Sequence, residues 1–317
     1  MTQLGYALSS EEHSPNDLVN HARRAEEVGF SFALISDHYH PWVSNQGHAP
    51  FVWSVIGGIA QATKTLQLGT GVTCPTVRIH PAIIAQAAAT AASMMPGRFF
   101  LGVGTGENLN EHITGERWQP YDIRLAMLEE AVEVIRTLWE GGTQSFWGSF
   151  YTVEDARIFT LPDELPPIMV AASGPKAATA AGRMGDGLIN VEPDAEVIET
   201  FEAAGGEGPR YGQLTVCWAA NEAEARHTAF EIWPNAGLTG QLSQEIRTVA
   251  HFEQACQMVT EESVAESLVC GPDAARYVEK IQKFADAGYD HVYLHQIGPD
   301  QEGFLQFCER ELLPHFT

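Results

Sequence analysis

Short β-branched or apolar runs alternate along the 317-residue chain with segments whose apolar residues recur at i, i+3, i+4 and i+7. This alternation constrains the fold more than any other feature of the sequence. Eight runs read as strands: LGYALS from Leu4, FALISDH from Phe32, LQLGTGVTCP from Leu66, RFFLGVGTG from Arg98, IMVAASG from Ile168, DGLINV from Asp186, QLTVCWAA from Gln213 and DHVYLHQIG from Asp290. The intervening segments, such as NDLVNHARRAEEVGF and RLAMLEEAVEVIRTLWEGG, have helical period. Ser14-Pro15 starts the first helix, Gly29 ends it, and Gly271-Pro272-Asp273 opens the last. Strand then helix, eight times over, predicts a (β/α)8 TIM barrel. A doubly wound open sheet is the competing arrangement of the same elements.

Two stretches exceed a minimal barrel. Residues 144–167 read as a hairpin followed by a Pro-rich connector, and residues 233–270 as a longer insertion between the seventh strand and the eighth helix. Insertions in βα loops build the substrate side of a barrel, so both are expected there, within one domain spanning 1–317.

Charge narrows the partners. The chain has 41 acidic against 18 basic residues, a net charge of −23, and its only lysines are Lys64, Lys176, Lys280 and Lys283. Such a surface repels nucleic acid and anionic membranes and points to a small-molecule substrate. It also suits a salt-rich cytoplasm, where screening removes self-repulsion. The start, MTQLGYALSS, lacks a basic region followed by an apolar one, so a cytoplasmic protein is expected. The five cysteines form no C-x-x-C pair and are expected as reduced thiols.

Strand ends of a barrel converge on its active site. They offer Asp37, His38, His40 and Trp42 after strand two; Thr73, Cys74 and Thr76 after strand three; Gly104, Thr105, Gly106, Glu107 and Asn110 after strand four. Ala172, Ser173 and Gly174 follow strand five, and His295 and Gln296 end strand eight. Polar, glycine-rich and aromatic, this set suits a flat, phosphate-bearing cofactor. His38 and His40 share a strand face and could converge on a metal ion, as in a metal-dependent hydrolase. Strands five and six, however, offer only Ala171, Ala172, Ser173, Asn190 and Val191, too few ligands to complete such a site, and no metal is assigned. GVGTGE, Gly102 to Glu107, lacks the spacing of a dinucleotide fingerprint but allows close backbone approach to a ring or an anion. Ser173-Gly174-Pro175 at a helix start leaves amides free for an anion, and Lys176 adds positive charge. Glu107 closes its turn where a carboxylate can hold or donate a proton.

Taken together, SDHYHPW, LGTGVTCPTVRIHPAIIAQAAAT, PGRFFLGVGTGENLNE, ASGPKAATAAGRMGDGLI and AGYDHVYLHQIGPDQEGFL resemble the bacterial luciferase-like superfamily. The resemblance runs in order along nearly the whole chain. It is nearest the branch that uses the deazaflavin coenzyme F420, which includes F420-dependent glucose-6-phosphate dehydrogenases and secondary alcohol dehydrogenases. It implies a luciferase-like (β/α)8 barrel, usually a homodimer, with the cofactor across the strand ends. It further implies that Asp37 contacts the cofactor, that His38 is the acid or base toward the substrate hydroxyl, that Trp42 stabilises the reacting complex, and that Glu107 handles a proton at the ring. Thr105, Gly106 and Asn110 fall on cofactor contacts, Gly71-Val72 on a bulge with a cis peptide, and Cys74 on the contact that follows. Ser173, Gly174, Lys176 and Ala177 fall on the turn that meets the cofactor tail. The superfamily also contains enzymes that use FMN and dioxygen, and no single residue separates the two cofactors.

The departures concern substrate. Sugar-phosphate members carry a lysine after strand six and further bases in the last insertion. The matching loop here is NVEPD, with Val191 facing the substrate, and the insertion holds only Arg247 and His251 as candidate phosphate partners. Two acids repel a phosphate dianion, so an uncharged alcohol, hemiacetal or unsaturated substrate is expected in preference to glucose 6-phosphate.

Overall fold

The computed structural model describes residues 2–238 and 240–316. Eight parallel strands form a closed barrel: β1 (Gln3–Leu8), β2 (Phe32–Ile35), β3 (Gln67–Thr70), β4 (Phe99–Val103), β5 (Ile168–Ala171), β6 (Gly187–Asn190), β7 (Arg210–Cys217) and β8 (His291–Gln296). Each strand pairs with its sequence neighbour, and β8 closes on β1 with Gly5 opposite Tyr293. The open-sheet alternative is thereby excluded. Every expected strand is present, although β7 starts three residues before the expected Gln213.

Barrel helices follow the strands: α1 (Pro15–Val28), α2 (Val52–Ala62), α3 (Pro81–Met94), α4 (Tyr121–Trp139), α5 (Pro175–Met184), α6 (Ala195–Ala203), α7 (Ala274–Asp286) and α8 (Gln301–Phe307). The Ser14 hydroxyl accepts from the Asp17 amide at the start of α1, and Gly29 ends the helix with φ 106°, a left-handed conformation open to glycine. Gly271-Pro272-Asp273 opens α7, the penultimate barrel helix, because the chain still has β8 and a short α8 to run.

Both insertions sit differently from expectation. The hairpin, Gln144–Trp147 with Thr152–Ala156, connects α4 to β5, so it is an αβ and not a βα connection. Its tip leans on α4, where the Glu130 carboxylate accepts three backbone amides, and Tyr151 Oη donates to the Thr76 carbonyl at 3.0 Å. The second insertion lies between β7 and α7, not before α8. It begins by Glu222 with a helix to Ile232, adds helices Val249–Cys256 and Glu261–Ser267, and returns through a two-residue strand, Val269–Cys270, beside β7. Its apolar core is continuous with Cys217 and Ile297 at the strand ends, so it roofs the carboxyl-terminal mouth.

The strands read as unbroken apolar runs because both faces are covered: helices outside, and inside a filling of Phe32, Leu34, Phe100, Met169, Ile189, Tyr211 and Tyr293. Ring and glycine alternate around that interior. Phe32 lies beside Gly5, where a Cβ would stand 2.3 Å from the ring, and Phe100 lies beside Gly69, where it would stand 2.0 Å away. Gly69→Ala is therefore expected to force Phe100 off its rotamer and cost about 1–3 kcal/mol in chemical denaturation. An unchanged unfolding midpoint would contradict this packing.

Candidate active site

The carboxyl ends of the strands open on a cavity of about 310 Å³. Leu34, Val72, Ile189 and Tyr293 carry the barrel filling up to its floor, and the backbone from Gly104 to Glu107 forms one wall. His38 is held at its edge. Nδ1 lies 3.2 Å from the His40 carbonyl oxygen, which can only accept, so the ring proton belongs on Nδ1. Nε2 then stands 3.4 Å from Glu11 Oε1, and the ring meets Trp42 edge-on at 4.9 Å.

Glu11, from the loop after β1, is the strongest missing member of the expected set. It is 3% exposed and lines the cavity. Ser36 Oγ donates to its Oε2 at 2.6 Å and Ser9 Oγ at 3.1 Å. Burial pushes its carboxyl up, but His38 and the Ser36 hydroxyl outweigh burial and hold it below the usual glutamate value. A proton taken up at His38 Nε2 thus lands beside a carboxylate already in place. The strand-end list above begins at strand two; extending it three residues past β1 would have found Glu11.

Asp37 is buried and turned away from the cavity. Arg78 donates to its Oδ1 at 2.9 Å and to its carbonyl at 3.1 Å, and Thr73 Oγ1 donates to Oδ2 at 2.8 Å. With both oxygens engaged by its own protein, Asp37 braces the loop from behind and does not line the cavity. Arg78, unforeseen from the sequence, also sends its backbone amide to Glu111 Oε2 at 2.7 Å. Burial pushes the Glu111 carboxyl up to about 7 against the opposing pull of Arg78.

Gly71-Val72 forms the expected cis peptide, and both residues line the cavity with Thr105, Gly106 and Glu107. Cys74 lies one layer below: its Sγ is 2.9 Å from Thr76 Oγ1, and a Cβ on Gly106 would come within 2.6 Å of that sulfur. Asn110 also works from behind. Its Oδ1 accepts the Tyr39 and His40 amides at 2.9 and 3.1 Å, and its Nδ2 lies 3.4 Å from the half-buried Glu107. His40 turns away from His38, with Nδ1 3.0 Å from the Leu109 carbonyl. Among the described residues no group of three or more His, Cys, Asp or Glu could hold a metal ion.

Ser173 and Ala177 line the far side of the cavity, at the start of α5. Gly174 caps that helix and has open space where a Cβ would be. Lys176 points outward to Asp122, Nζ to Oδ1 2.7 Å, with both side chains exposed. Val191 reaches the mouth, but Arg247 and His251 are exposed and stand outside it. The reason is the helix Val249–Cys256, which buries Phe252 and Cys256 against Val43, Leu109 and Trp42 and so turns His251 to solvent. The insertion supplies Trp233 and Gln244 to the cavity instead; β7 supplies Gln213 and β8 supplies His295. No lysine or arginine lines the cavity among the described residues.

A sequence model of the luciferase-like monooxygenase family matches residues 1–291. An F420-dependent glucose-6-phosphate dehydrogenase of Mycolicibacterium gilvum is 37% identical over 98% of this chain and 97% of its own length. The enzyme of the same description from Tsukamurella paurometabola is 35% identical over the same shares. A solved F420-dependent secondary alcohol dehydrogenase in complex with an F420-acetone adduct superposes with a TM-score of 0.91, at 31% identity and 98% coverage of both chains.

The raised Glu111 carboxyl has a consequence for stability. A group whose folded value lies above its unfolded value of 4.5 adds stability in full below 4.5, and that stability is lost as pH rises through about 7. Relative to Glu111→Gln, the native protein should therefore lose stability as pH rises from about 4.5 to about 7, with no further loss above that. Parallel denaturation midpoints for the two proteins across that interval would refute the assignment.

Proposed function

The chain belongs to the luciferase-like monooxygenase family, and within it we propose an F420-dependent oxidoreductase acting on the carbinol of an uncharged alcohol or hemiacetal. The observation that carries this reading is the Glu11–His38 pair, set at the edge of a glycine-walled cavity that no lysine or arginine lines among the described residues. The full-length relatives and the solved enzyme, at 31–37% identity, all bear F420 in their descriptions, which favours the deazaflavin over FMN.

The residues present fit that cofactor. An apolar floor and bare Gly104 and Gly106 backbone accept a flat ring, and the open N-terminus of α5 beside Ser173 offers amides to an anionic tail. Coenzyme F420, when bound, supplies a ring carbon that accepts or returns a hydride. The protein supplies the rest. His38 Nε2 takes the hydroxyl proton, Glu11 stabilises the imidazolium that results, and Trp42 meets that ring edge-on. Glu107, half-buried in the glycine wall and beside Asn110, is placed to move a second proton at the cofactor edge.

Substrate charge follows from the lining. Glu11 and Glu107 face the cavity, and neither Lys176 nor Arg247 faces inward. A phosphate dianion would meet carboxylates without a counter-charge, so glucose 6-phosphate is disfavoured.

The protein is also proposed to be a homodimer, through α2 and α3. Phe51, Ile83 and Met94 are exposed there around a groove that, among the described residues, is lined by no charged side chain. In a chain of net charge −23, an uncharged apolar face is the one on which two copies meet without repulsion. Ile83→Glu should convert a dimer to a monomer in sedimentation; a monomeric native protein would contradict this.

For the activity itself, F420 fluorescence should report binding by the native protein, and a secondary alcohol should reduce the cofactor. His38→Ala should retain binding and lose about 10²–10⁴ in kcat, whereas His40→Ala should cost far less. Efficient turnover of glucose 6-phosphate would overturn the substrate preference, and equal, severe losses from both histidines would overturn the role given to His38.

A further inference from the structure

A second carboxylate–histidine pair reaches the same cavity through its histidine and takes no part in the proton transfer above. His295, at the end of β8, is 4% exposed and lines the cavity. Glu12 Oε1 stands 3.5 Å from its Nε2, yet neither ring nitrogen has a hydrogen-bond partner among the described residues. Trp233 meets the ring edge-on, with centroids 4.7 Å apart and planes at 77°. Glu11 with His38 and Trp42 is thus repeated as Glu12 with His295 and Trp233, the two glutamates being consecutive.

Glu12 is itself fixed, since the Gly298 amide donates to its Oε2 at 2.8 Å. It therefore orients His295 without satisfying it. Leaving a buried polar nitrogen unpaired costs about 1–3 kcal/mol, and a cavity-facing histidine recovers that cost from whatever enters. His38 and His295 line the same cavity and are held by consecutive glutamates, so the two rings border one space. The cations that would make this an anion site are absent from the lining among the described residues, so the entering group is a neutral oxygen.

We infer that His295, held by Glu12, is a specificity-determining residue that hydrogen-bonds a second oxygen of the substrate while His38 serves the reacting hydroxyl. The substrate class is accordingly an uncharged molecule with two nearby oxygens: a diol, a hydroxyketone or a cyclic hemiacetal. This rests on the activity proposed above and deepens it. Apolar contacts discriminate weakly between such molecules and simple alcohols, whereas a site built to hydrogen-bond an oxygen discriminates strongly against its loss.

The probes are 2-butanol and 2,3-butanediol, which differ by one hydroxyl, with F420 as acceptor. The native protein should favour the diol by at least about tenfold in kcat/KM, and His295→Leu should lose about 50-fold on the diol, chiefly in KM, and less than about threefold on 2-butanol. His295→Asn, which keeps a donor and an acceptor, should recover part of the loss. Two readouts stand apart from turnover: F420 affinity by fluorescence should be the same in all three proteins, and calorimetric binding of the diol to the cofactor-free protein should weaken in the Leu variant. Equal losses on both alcohols with F420 binding intact, or no loss on either, would overturn the role of His295 and leave the proposed activity standing. Failure of the native protein to bind F420, or to oxidise either alcohol, would overturn the activity and this inference with it.

Discussion

The pairing of β8 with β1 is the contact on which everything else depends. It turns a sheet into a closed barrel, and closure brings the loop after β1 beside the ends of β2 and β8. Only then can two consecutive residues, Glu11 and Glu12, reach histidines that lie 257 positions apart in sequence, His38 and His295. An open sheet with the same elements would leave β1 and β8 far apart and the paired arrangement unmade. The alternation of Phe32 and Phe100 with Gly5 and Gly69 fills the closed interior, so the barrel has a solid floor on which the cavity rests.

Above that floor, one buried cation organises several anions. Arg78 ties Asp37 on the β2 loop to Glu111 on the β4 loop, and Asn110 ties the amides of Tyr39 and His40 to the same side. The chemistry-bearing loop is therefore clamped from behind, and its front face presents Ser36, His38 and Trp42 to the cavity. Preorganisation of this kind lets a histidine accept a proton without moving. It also holds the Arg78 charge behind the cavity wall.

The fold was legible because its signals are local: strand runs, the Ser14 cap and the Gly29 stop are read from neighbours in sequence. His38, Trp42, Glu107 and the glycine wall were legible for the same reason, each lying just past a strand. What escaped is tertiary. That Asp37 turns inward depends on Arg78, 41 residues away. That His251 faces solvent depends on which side of the helix Val249–Cys256 packs against Trp42. Lys176 looked like a tail contact beside a helix start, yet Asp122 on another helix draws it outward. The hairpin at 144–167 was recognisable as a hairpin, but its place in an αβ connection followed only from the strand count.

The central claim is that the cavity aligns a carbinol with a deazaflavin so that hydride moves directly between them, with His38 taking the proton. The most direct measurement uses 2-butanol carrying deuterium at the carbinol carbon, incubated anaerobically with the native protein and F420, and mass analysis of the reduced cofactor. The account predicts one deuterium carried onto the cofactor from each alcohol oxidised. Reduced cofactor free of deuterium, or a reaction that proceeds only with dioxygen, would contradict it.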